Sequence, residues 1–161
     1  MWGMIATWRM ALEGIQKVTP NLEAGGTAGD AIEGAIKEVE DFPYFKSVGY
    51  GGLPNEEMEV ELDAAYLDGS TFDFGAVCAL KQFANPISVA RVLSAYKVNN
   101  VLVGDGAAAF AKAHHFEEKD MLTDRAKIHF HNRLKDIERE QLTPYAGHDT
   151  VGMVGFDLAG D

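Results

Sequence analysis

The chain has 161 residues, of which 47% are hydrophobic and 24% charged, a composition typical of one globular domain with a hydrophobic core. Its formal net charge of -11 argues against nucleic acid and anionic membrane surfaces as partners, because phosphate groups are bound mainly by Lys and Arg. A single cysteine, Cys78, excludes a disulfide within the chain, and its apolar neighbours predict a buried thiol.

The N-terminal residues 1–6 are apolar, but this run is too short for a signal peptide or a membrane span and lacks a basic region. We therefore expect a cytoplasmic protein, the alternative being an export signal removed ahead of residue 1. A strand is predicted at 3–7 and a helix at 9–17, which Thr19-Pro20 should end. Trp8 lies at the corner between them, where the sequence alone favours a core aromatic.

The next predicted helix begins after Thr27, which forms a capping box with Asp30. Apolar residues then recur every three or four positions, as expected for a helix covering a sheet: Ala28, Ala31, Ile32, Ala35, Ile36 and Val39. We interpret the acidic residues of this helix as solvent-facing, namely Glu33, Glu38 and Glu40.

A glycine-rich turn follows at residues 47–54, with the sequence SVGYGGLP. A phosphate-binding loop would open a helix and often carry a Lys after the last glycine, whereas Leu53 and Pro54 follow here. This disfavours a nucleotide site. Ser47 itself is either a loop-capping hydroxyl or a functional one.

A β-hairpin is predicted from alternating apolar residues at 58–64 and 71–80, with a turn at 68–70. Three carboxylates share the polar face of its first strand: Glu59, Glu61 and Asp63. They are interpreted either as a glycosidase pair of acids or as solvated side chains, and the latter are favoured because no neighbour would raise one pKa above the others.

The following elements are a helix starting at Asn85 and Pro86 and running to 96, a strand at 101–103 and an Ala-rich helix from 106 to about 114. A last helix at 121–140 is capped by Thr123 and leads to a mobile tether at 141–147. The paired histidines at 114–115 and 129–131 do not predict a metal site, because helical neighbours point about 100° apart. No metal and no cofactor is expected.

Near the C-terminus, His148, Asp149 and Thr150 precede an alternating apolar segment that predicts a strand at 150–158. A Thr hydroxyl needs a base and a fixed position to attack a carbonyl. If the bond between Asp149 and Thr150 is cut, Thr150 gains an α-amino group with a reference pKa of about 8 beside its own hydroxyl. Thr150 could make this cut itself by attacking the Asp149 carbonyl, with His148 or Asp149 moving the proton. The alternative is ordinary turn chemistry before a strand.

The sequence HDTVGMV at 148–154 resembles the cleavage junction of the glycosylasparaginases (aspartylglucosaminidases), which are N-terminal nucleophile hydrolases of the asparaginase type 2 family. Four further blocks resemble the same family in the same order, and together they cover nearly all of residues 4–157: Thr7-Trp8, residues 47–54, residues 62–69, and residues 85–91 with 102–106.

The resemblance implies an α+β fold, a four-layer α/β/β/α sandwich, which is incomplete here. Residues 1–149 would form the α-chain half of the hydrolase domain and residues 150–161 the start of the β-chain half, with the strand after the turn at 159–161 supplied by residues absent from this sequence. It also implies that Thr150 is the catalytic nucleophile and that His148, Asp149 and Thr150 carry out autoprocessing. Trp8, Ser47 and Gly152 would line the substrate pocket or support the nucleophile.

The function implied is that of an amidohydrolase zymogen. After autoproteolysis between Asp149 and Thr150, it would cleave the side-chain amide of asparagine in N4-(β-N-acetylglucosaminyl)-L-asparagine and release aspartate. The expected partners are an asparagine glycoside or asparagine, the β-chain half of the same precursor, and a second αβ unit in a homodimer. Two alternatives remain: a plant-type L-asparaginase or isoaspartyl peptidase, whose junction usually carries GTVGA, and a truncated non-catalytic homologue acting as an assembly subunit. This chain alone should be inactive.

Overall fold

The computed structural model describes residues 1–141 and 150–161. Within these ranges the elements follow one another as β1 (Gly3–Ala6), a 3-10 turn (Arg9–Ala11), α1 (Leu12–Glu23), α2 (Ala28–Asp41), β2 (Leu62–Leu67), β3 (Phe74–Leu80), α3 (Pro86–Ser94), β4 (Val101–Val103), α4 (Asp105–Ala113), α5 (Asp124–Glu140) and β5 (Met153–Phe156). The chain therefore has the mixed helix and strand content that was predicted. None of the described helices is long and apolar enough to cross a bilayer.

The strands form two sheets in the described residues. In the first, β2 and β3 make the predicted antiparallel hairpin, although its first strand is Leu62–Leu67 and not 58–64, and β4 adds to β3 in parallel. In the second, β1 pairs antiparallel with β5, so that Gly3 lies opposite Phe156 and Ala6 opposite Met153. The strand after Thr150 is thus anchored on the first strand of the chain.

The main core lies between β3, α3 and α4. Its buried residues are Val77, Leu80, Phe83, Val89, Ala90, Leu93, Ala107 and Ala111. Each large aliphatic side chain buried here contributes about 1.5–3 kcal/mol. Helix α3 approaches β3 so closely that a Cβ atom at Gly75 would lie 2.2 Å from the Ala90 carbonyl oxygen. Glycine at this position therefore sets the distance between the helix and the sheet.

The predicted N-caps of two helices are confirmed. The Thr27 hydroxyl accepts from the Asp30 N–H at 3.1 Å at the start of α2, and the Thr123 hydroxyl accepts from the Ala126 N–H at 3.1 Å at the start of α5. Asn85 is also an N-cap, but its side chain bonds carboxylates of α2 instead of its own helix.

The predicted end of α1 at Thr19-Pro20 was wrong, because the helix continues through Pro20 to Glu23. The Thr19 hydroxyl donates to the Ile15 carbonyl at 2.9 Å. Leu22 in the last turn is buried. Burial of this side chain outweighs the helix-breaking tendency of proline, which is an example of tertiary packing overriding local propensity.

Two predicted core side chains are not buried. Cys78 is only half-buried, because it lies on the face of β3 that no described helix covers. Trp8 is 60% exposed, so its interpretation as a core aromatic was wrong. Its backbone has φ 64 and ψ 152, a positive-φ conformation that is uncommon for a residue other than glycine, at the point where the chain leaves β1.

One face of each sheet is open and apolar. On the three-stranded sheet this face carries Leu67, Phe74, Val101 and Val103, which are all exposed. On the two-stranded sheet, Ile5 and Val154 lie opposite each other and are 72% and 69% exposed, with Phe156 beside them. The described helices pack on the other faces, where α3 covers β2 and β3 and α2 covers β5.

Candidate active site

Thr150 lies at the surface three residues before β5, which begins at Met153 and not at 150 as predicted, and it lines a cleft of about 490 Å³. The walls come from four parts of the chain: the end of α2 (Ile36, Glu40), the glycine-rich loop (Ser47, Val48, Gly49), β2 with the residue before it (residues 61–65) and the start of α3 (Pro86, Ile87). Val151 completes the lining. Two residues that the sequence predicted to act together, Thr150 and Ser47, thus share one cleft.

The glycine-rich loop reaches this cleft because it folds back onto the end of α2. The Tyr50 N–H donates to the Glu40 carbonyl oxygen at 2.6 Å, and the Gly51 N–H donates to the Met121 carbonyl at 2.9 Å. Gly49 has φ 58, and a Cβ atom there would lie 2.0 Å from the Glu40 carbonyl oxygen. Only glycine allows this approach, so Gly49 determines where Ser47 is placed.

Thr7 holds the backbone on the C-terminal side of Thr150. Its N–H donates to the Gly152 carbonyl at 2.9 Å, and its hydroxyl accepts from the Gly152 N–H at 2.9 Å. The same hydroxyl lies 3.4 Å from the Thr150 carbonyl oxygen. In the sequence Thr7 stood out only as the neighbour of Trp8, and its contact with the junction could not be predicted without the pairing of β1 and β5.

The other predicted site residues have different positions. Gly152 is exposed and bonds Thr7 through its main chain. Trp8 comes directly after Thr7 but is not among the residues that line the cleft. His148 and Asp149, together with most of the predicted tether at 141–147, lie outside the described residues.

Glu40 is the functional candidate that sequence reasoning missed. It was interpreted as solvent-facing, but it is only 4% exposed and lines the cleft. Its carboxylate accepts from the Ile87 N–H at 3.2 Å and from the Asn85 side chain at 3.3 Å. Glu40 follows Ile36 by four residues and therefore lies on the same buried face of α2. That spacing is visible in the sequence and is the signal that could have found it.

Burial raises the pKa of Glu40 to about 8, and the nearby Asp41 carboxylate acts in the same direction. The hydrogen bonds from Asn85 and Ile87 oppose the rise but do not cancel it. Burial therefore favours the protonated form of Glu40, whose carboxyl group lines the cleft.

The remaining charges on the cleft are also acidic. Glu61 lies 3.3 Å from the Lys81 ammonium, and Asp63 accepts from the Ala79 N–H at 2.8 Å. The described lining residues include no Lys, Arg or His. These described lining residues therefore offer no positively charged side chain to an anionic group of a ligand.

The model of the asparaginase family matches residues 6–161 of this chain. The chain belongs to this family. It is 35% identical to the N(4)-(β-N-acetylglucosaminyl)-L-asparaginase of Elizabethkingia miricola, over 98% of this chain and 46% of that protein. It is 33% identical to the isoaspartyl peptidase/L-asparaginase of Rattus norvegicus, over 92% and 46%, and 38% identical to the plant-type L-asparaginase of Thermococcus kodakarensis, over 82% and 47%. The chain spans about half the length of these relatives.

This asparaginase-family chain has a second cleft of similar size, about 480 Å³, on another part of its surface. Half of its lining residues are charged: Glu59, Lys81, Glu118, Lys119 and Asp120. It contains neither Thr150 nor Ser47. The two clefts are alike in size and differ in the side chains that line them.

The described part of the chain contains no group of three or more His, Cys, Asp or Glu side chains arranged to hold a metal ion. The histidines of α5 bond within their own helix: His129 accepts from the Arg125 guanidinium at 3.1 Å, and His131 lies 2.7 Å from the Lys127 carbonyl oxygen.

Proposed function

We propose that this chain is part of an asparaginase-family amidohydrolase in which Thr150 is the nucleophile. The observation that carries the proposal is the position of Thr150, which is exposed three residues before β5 in a cleft shared with Ser47 and Glu40. A rigid strand behind the nucleophile and an open cleft in front of it are what attack on a bound carbonyl requires.

The proposed sequence of steps begins with cleavage of the bond between Asp149 and Thr150. The Thr150 hydroxyl attacks the Asp149 carbonyl, the peptide becomes an ester, and water hydrolyses the ester. His148 and Asp149 are proposed to move the proton in this step. Thr150 then has a free α-amino group, with a reference pKa of about 8, close enough to accept the proton of its own hydroxyl.

In the hydrolysis itself, the Thr150 oxygen attacks the side-chain amide carbon of an asparagine, and the nitrogen leaves with a proton. The resulting acyl ester on Thr150 is hydrolysed by water, which releases aspartate. The substrate that we propose is N4-(β-N-acetylglucosaminyl)-L-asparagine, so that the nitrogen leaves as an amino sugar. The lack of a cation among the described lining residues means that the substrate's α-carboxylate must be bound by another part of the protein.

The complete protein is proposed to be a four-layer α/β/β/α sandwich. Two observations support this: the chain spans about half of its relatives, and both of its sheets have an open apolar face. Exposed apolar faces of this kind are normally covered by another layer. Residues 1–149 would form the α-chain, residue 150 would begin the β-chain, and two αβ units would form a homodimer.

The second candidate is a plant-type asparaginase or isoaspartyl peptidase. Relatives of both kinds match, and the identities of 35% and 38% do not separate them. The junction favours the glycosylasparaginase. His148 and Asp149 precede Thr150 where the other branch usually has Gly, and Met153 follows Gly152 where that branch usually has Ala. A non-catalytic assembly subunit is the third possibility.

The test is an intact-mass measurement on the protein as encoded, meaning the full-length product of the gene, combined with a denaturing gel. Wild type should give two fragments, one of which begins at Thr150, whereas Thr150→Ala should remain one chain. Thr71→Ala, on an exposed turn, is the matched control and should be cleaved like wild type. A single uncleaved wild-type species without hydrolytic activity would support the assembly subunit instead.

The cleaved protein should then be assayed with an asparagine glycoside, free asparagine and a β-aspartyl dipeptide. The proposal predicts the highest kcat/KM for the glycoside. A higher kcat/KM for free asparagine or for the dipeptide would assign the protein to the second candidate.

A further inference from the structure

The pairing of β1 and β5 continues beyond the two strands through the side chain of Thr7. In a regular antiparallel ladder, Thr7 and Gly152 would exchange two main-chain hydrogen bonds. One of these is present, from the Thr7 N–H to the Gly152 carbonyl at 2.9 Å. In place of the other, the Gly152 N–H donates to the Thr7 hydroxyl oxygen at 2.9 Å. The hydroxyl thus replaces a main-chain carbonyl at the point where Trp8, with φ 64, turns the chain away.

The same hydroxyl group also reaches the main chain of Thr150. Its oxygen lies 3.4 Å from the Thr150 carbonyl oxygen and donates its proton towards it, which is a long and weak hydrogen bond. One side chain therefore accepts from Gly152 and donates to Thr150. Both contacted groups lie on the C-terminal side of the bond between Asp149 and Thr150, so cleavage of that bond would leave them in place.

We infer that Thr7 is a positioning residue for Thr150. The inference rests on the proposed function, because it assumes that Thr150 is the nucleophile. Once the bond between Asp149 and Thr150 is cut, the main chain holds Thr150 from its C-terminal side alone. The contacts on that side include the pairing of β1 with β5 and the Thr7 hydroxyl. Small displacements of a reacting atom reduce the rate strongly, so this contact should act on the chemical step.

A purely structural role for Thr7 predicts a different outcome. Valine has the shape of threonine and an equally high preference for strands, so it would preserve β1 while removing the hydroxyl. Thr7 is exposed, and the Gly152 N–H could then bond water. Stability should therefore change little in Thr7→Val, whereas the position of Thr150 should change.

The experiment compares Thr7→Val, Thr7→Ala and Thr7→Ser in the protein as encoded, with Thr150→Ala and Thr19→Val as references. Thr19→Val is the matched control, because Thr19 also uses its hydroxyl on a main-chain carbonyl, but within α1. The measurements are the rate at which the new amino terminus at Thr150 forms, kcat and KM on the asparagine glycoside, and the midpoint of thermal unfolding.

Loss of the hydroxyl should slow both cleavage and kcat roughly fivefold or more in Thr7→Val and Thr7→Ala, as expected for loss of a hydrogen bond, with KM unchanged. Thr7→Ser should restore both rates. Four results would overturn the inference. Two concern the hydroxyl-free variants: unchanged rates in both, or an effect on KM alone. The other two are a failure of Thr7→Ser to restore the rates and an equal loss of rate in Thr19→Val. If Thr150→Ala is cleaved and active, the proposed function itself fails, and this result is distinct from the others.

Discussion

At the scale of single residues, the cleft combines a nucleophile candidate with an uncharged acid. Glu40 is enclosed by the ends of α2 and α3 and the glycine-rich loop, and burial raises its pKa to about 8. A carboxyl group whose pKa is higher in the folded protein than in the unfolded chain favours folding most at low pH. As the pH rises from the unfolded value near 4.5 to the folded value, this contribution is lost.

Glu40→Gln removes this titration. Because one pKa unit corresponds to about 1.4 kcal/mol, the variant should gain up to several kcal/mol in unfolding free energy relative to wild type between pH 5 and pH 9. Denaturant unfolding of both proteins at the two pH values measures the difference. Glu38→Gln is the control, since Glu38 forms an exposed ion pair with Lys17. A wild-type-to-variant difference that is the same at both pH values would show that Glu40 is ionised in the folded protein.

At the scale of elements, the helix caps, the β2–β3 hairpin and the short strand β4 could all be predicted from the sequence. These features depend on neighbours along the chain: Thr27 needs only Asp30, and the hairpin needs only its own alternation. The continuation of α1 past Pro20, the burial of Glu40 and the contact of Thr7 with Gly152 depend on partners distant in sequence. Of the predicted site residues, Thr150 and Ser47 line the described cleft and Trp8 and Gly152 do not, and the geometry of the cleft was not predicted.

The glycine-rich loop gives an element-scale prediction. Gly49→Ala should destabilise the protein by about 2 kcal/mol or more, because the residue has positive φ and the new Cβ atom would meet the Glu40 carbonyl. It should also lower activity by displacing Ser47. Gly69→Ala is the matched control, since nothing lies within 4 Å of its Cβ position. Thermal unfolding checks the first effect, and equal midpoints for the two variants would contradict it.

Asp157 gives a second prediction at this scale. Its carboxylate accepts from the Ala28 N–H at the start of α2 and from the main-chain N–H groups of 159, 160 and 161, which lower its pKa. Its stabilising effect is therefore present above the unfolded pKa near 3.8 and is lost as the pH falls through the lower folded value.

Asp157→Asn should consequently lower the unfolding midpoint at pH 7 and do so much less at pH 3. Asp136→Asn, which removes a carboxylate of an ion pair on α5, should have little effect at either pH. A loss for Asp157→Asn that does not depend on pH would mean that the shape of the side chain, and not its charge, holds α2 to the end of β5.

At the scale of the whole molecule, the open apolar faces are the feature that remains to be explained. Val103 and Val154 are exposed in this chain, and in the proposed four-layer arrangement both would be buried between the sheets. Val154→Lys should then cost about 2 kcal/mol or more in the protein as encoded. Ile128→Lys, at an equally exposed position on α5, is the control. The midpoints of thermal unfolding of the two variants are compared. Equally small effects would show that the apolar faces are not covered and would contradict the sandwich.

The pairing of β1 with β5 also has a consequence for the order of events during synthesis. Thr7 is made before Gly152, which is added 145 positions later. At translation rates of about 5–20 residues per second, β1 waits on the order of ten seconds for its partner. The proposed self-cleavage therefore follows the synthesis of β5 and its pairing with β1, and the cut would mark the moment at which these two distant segments have paired.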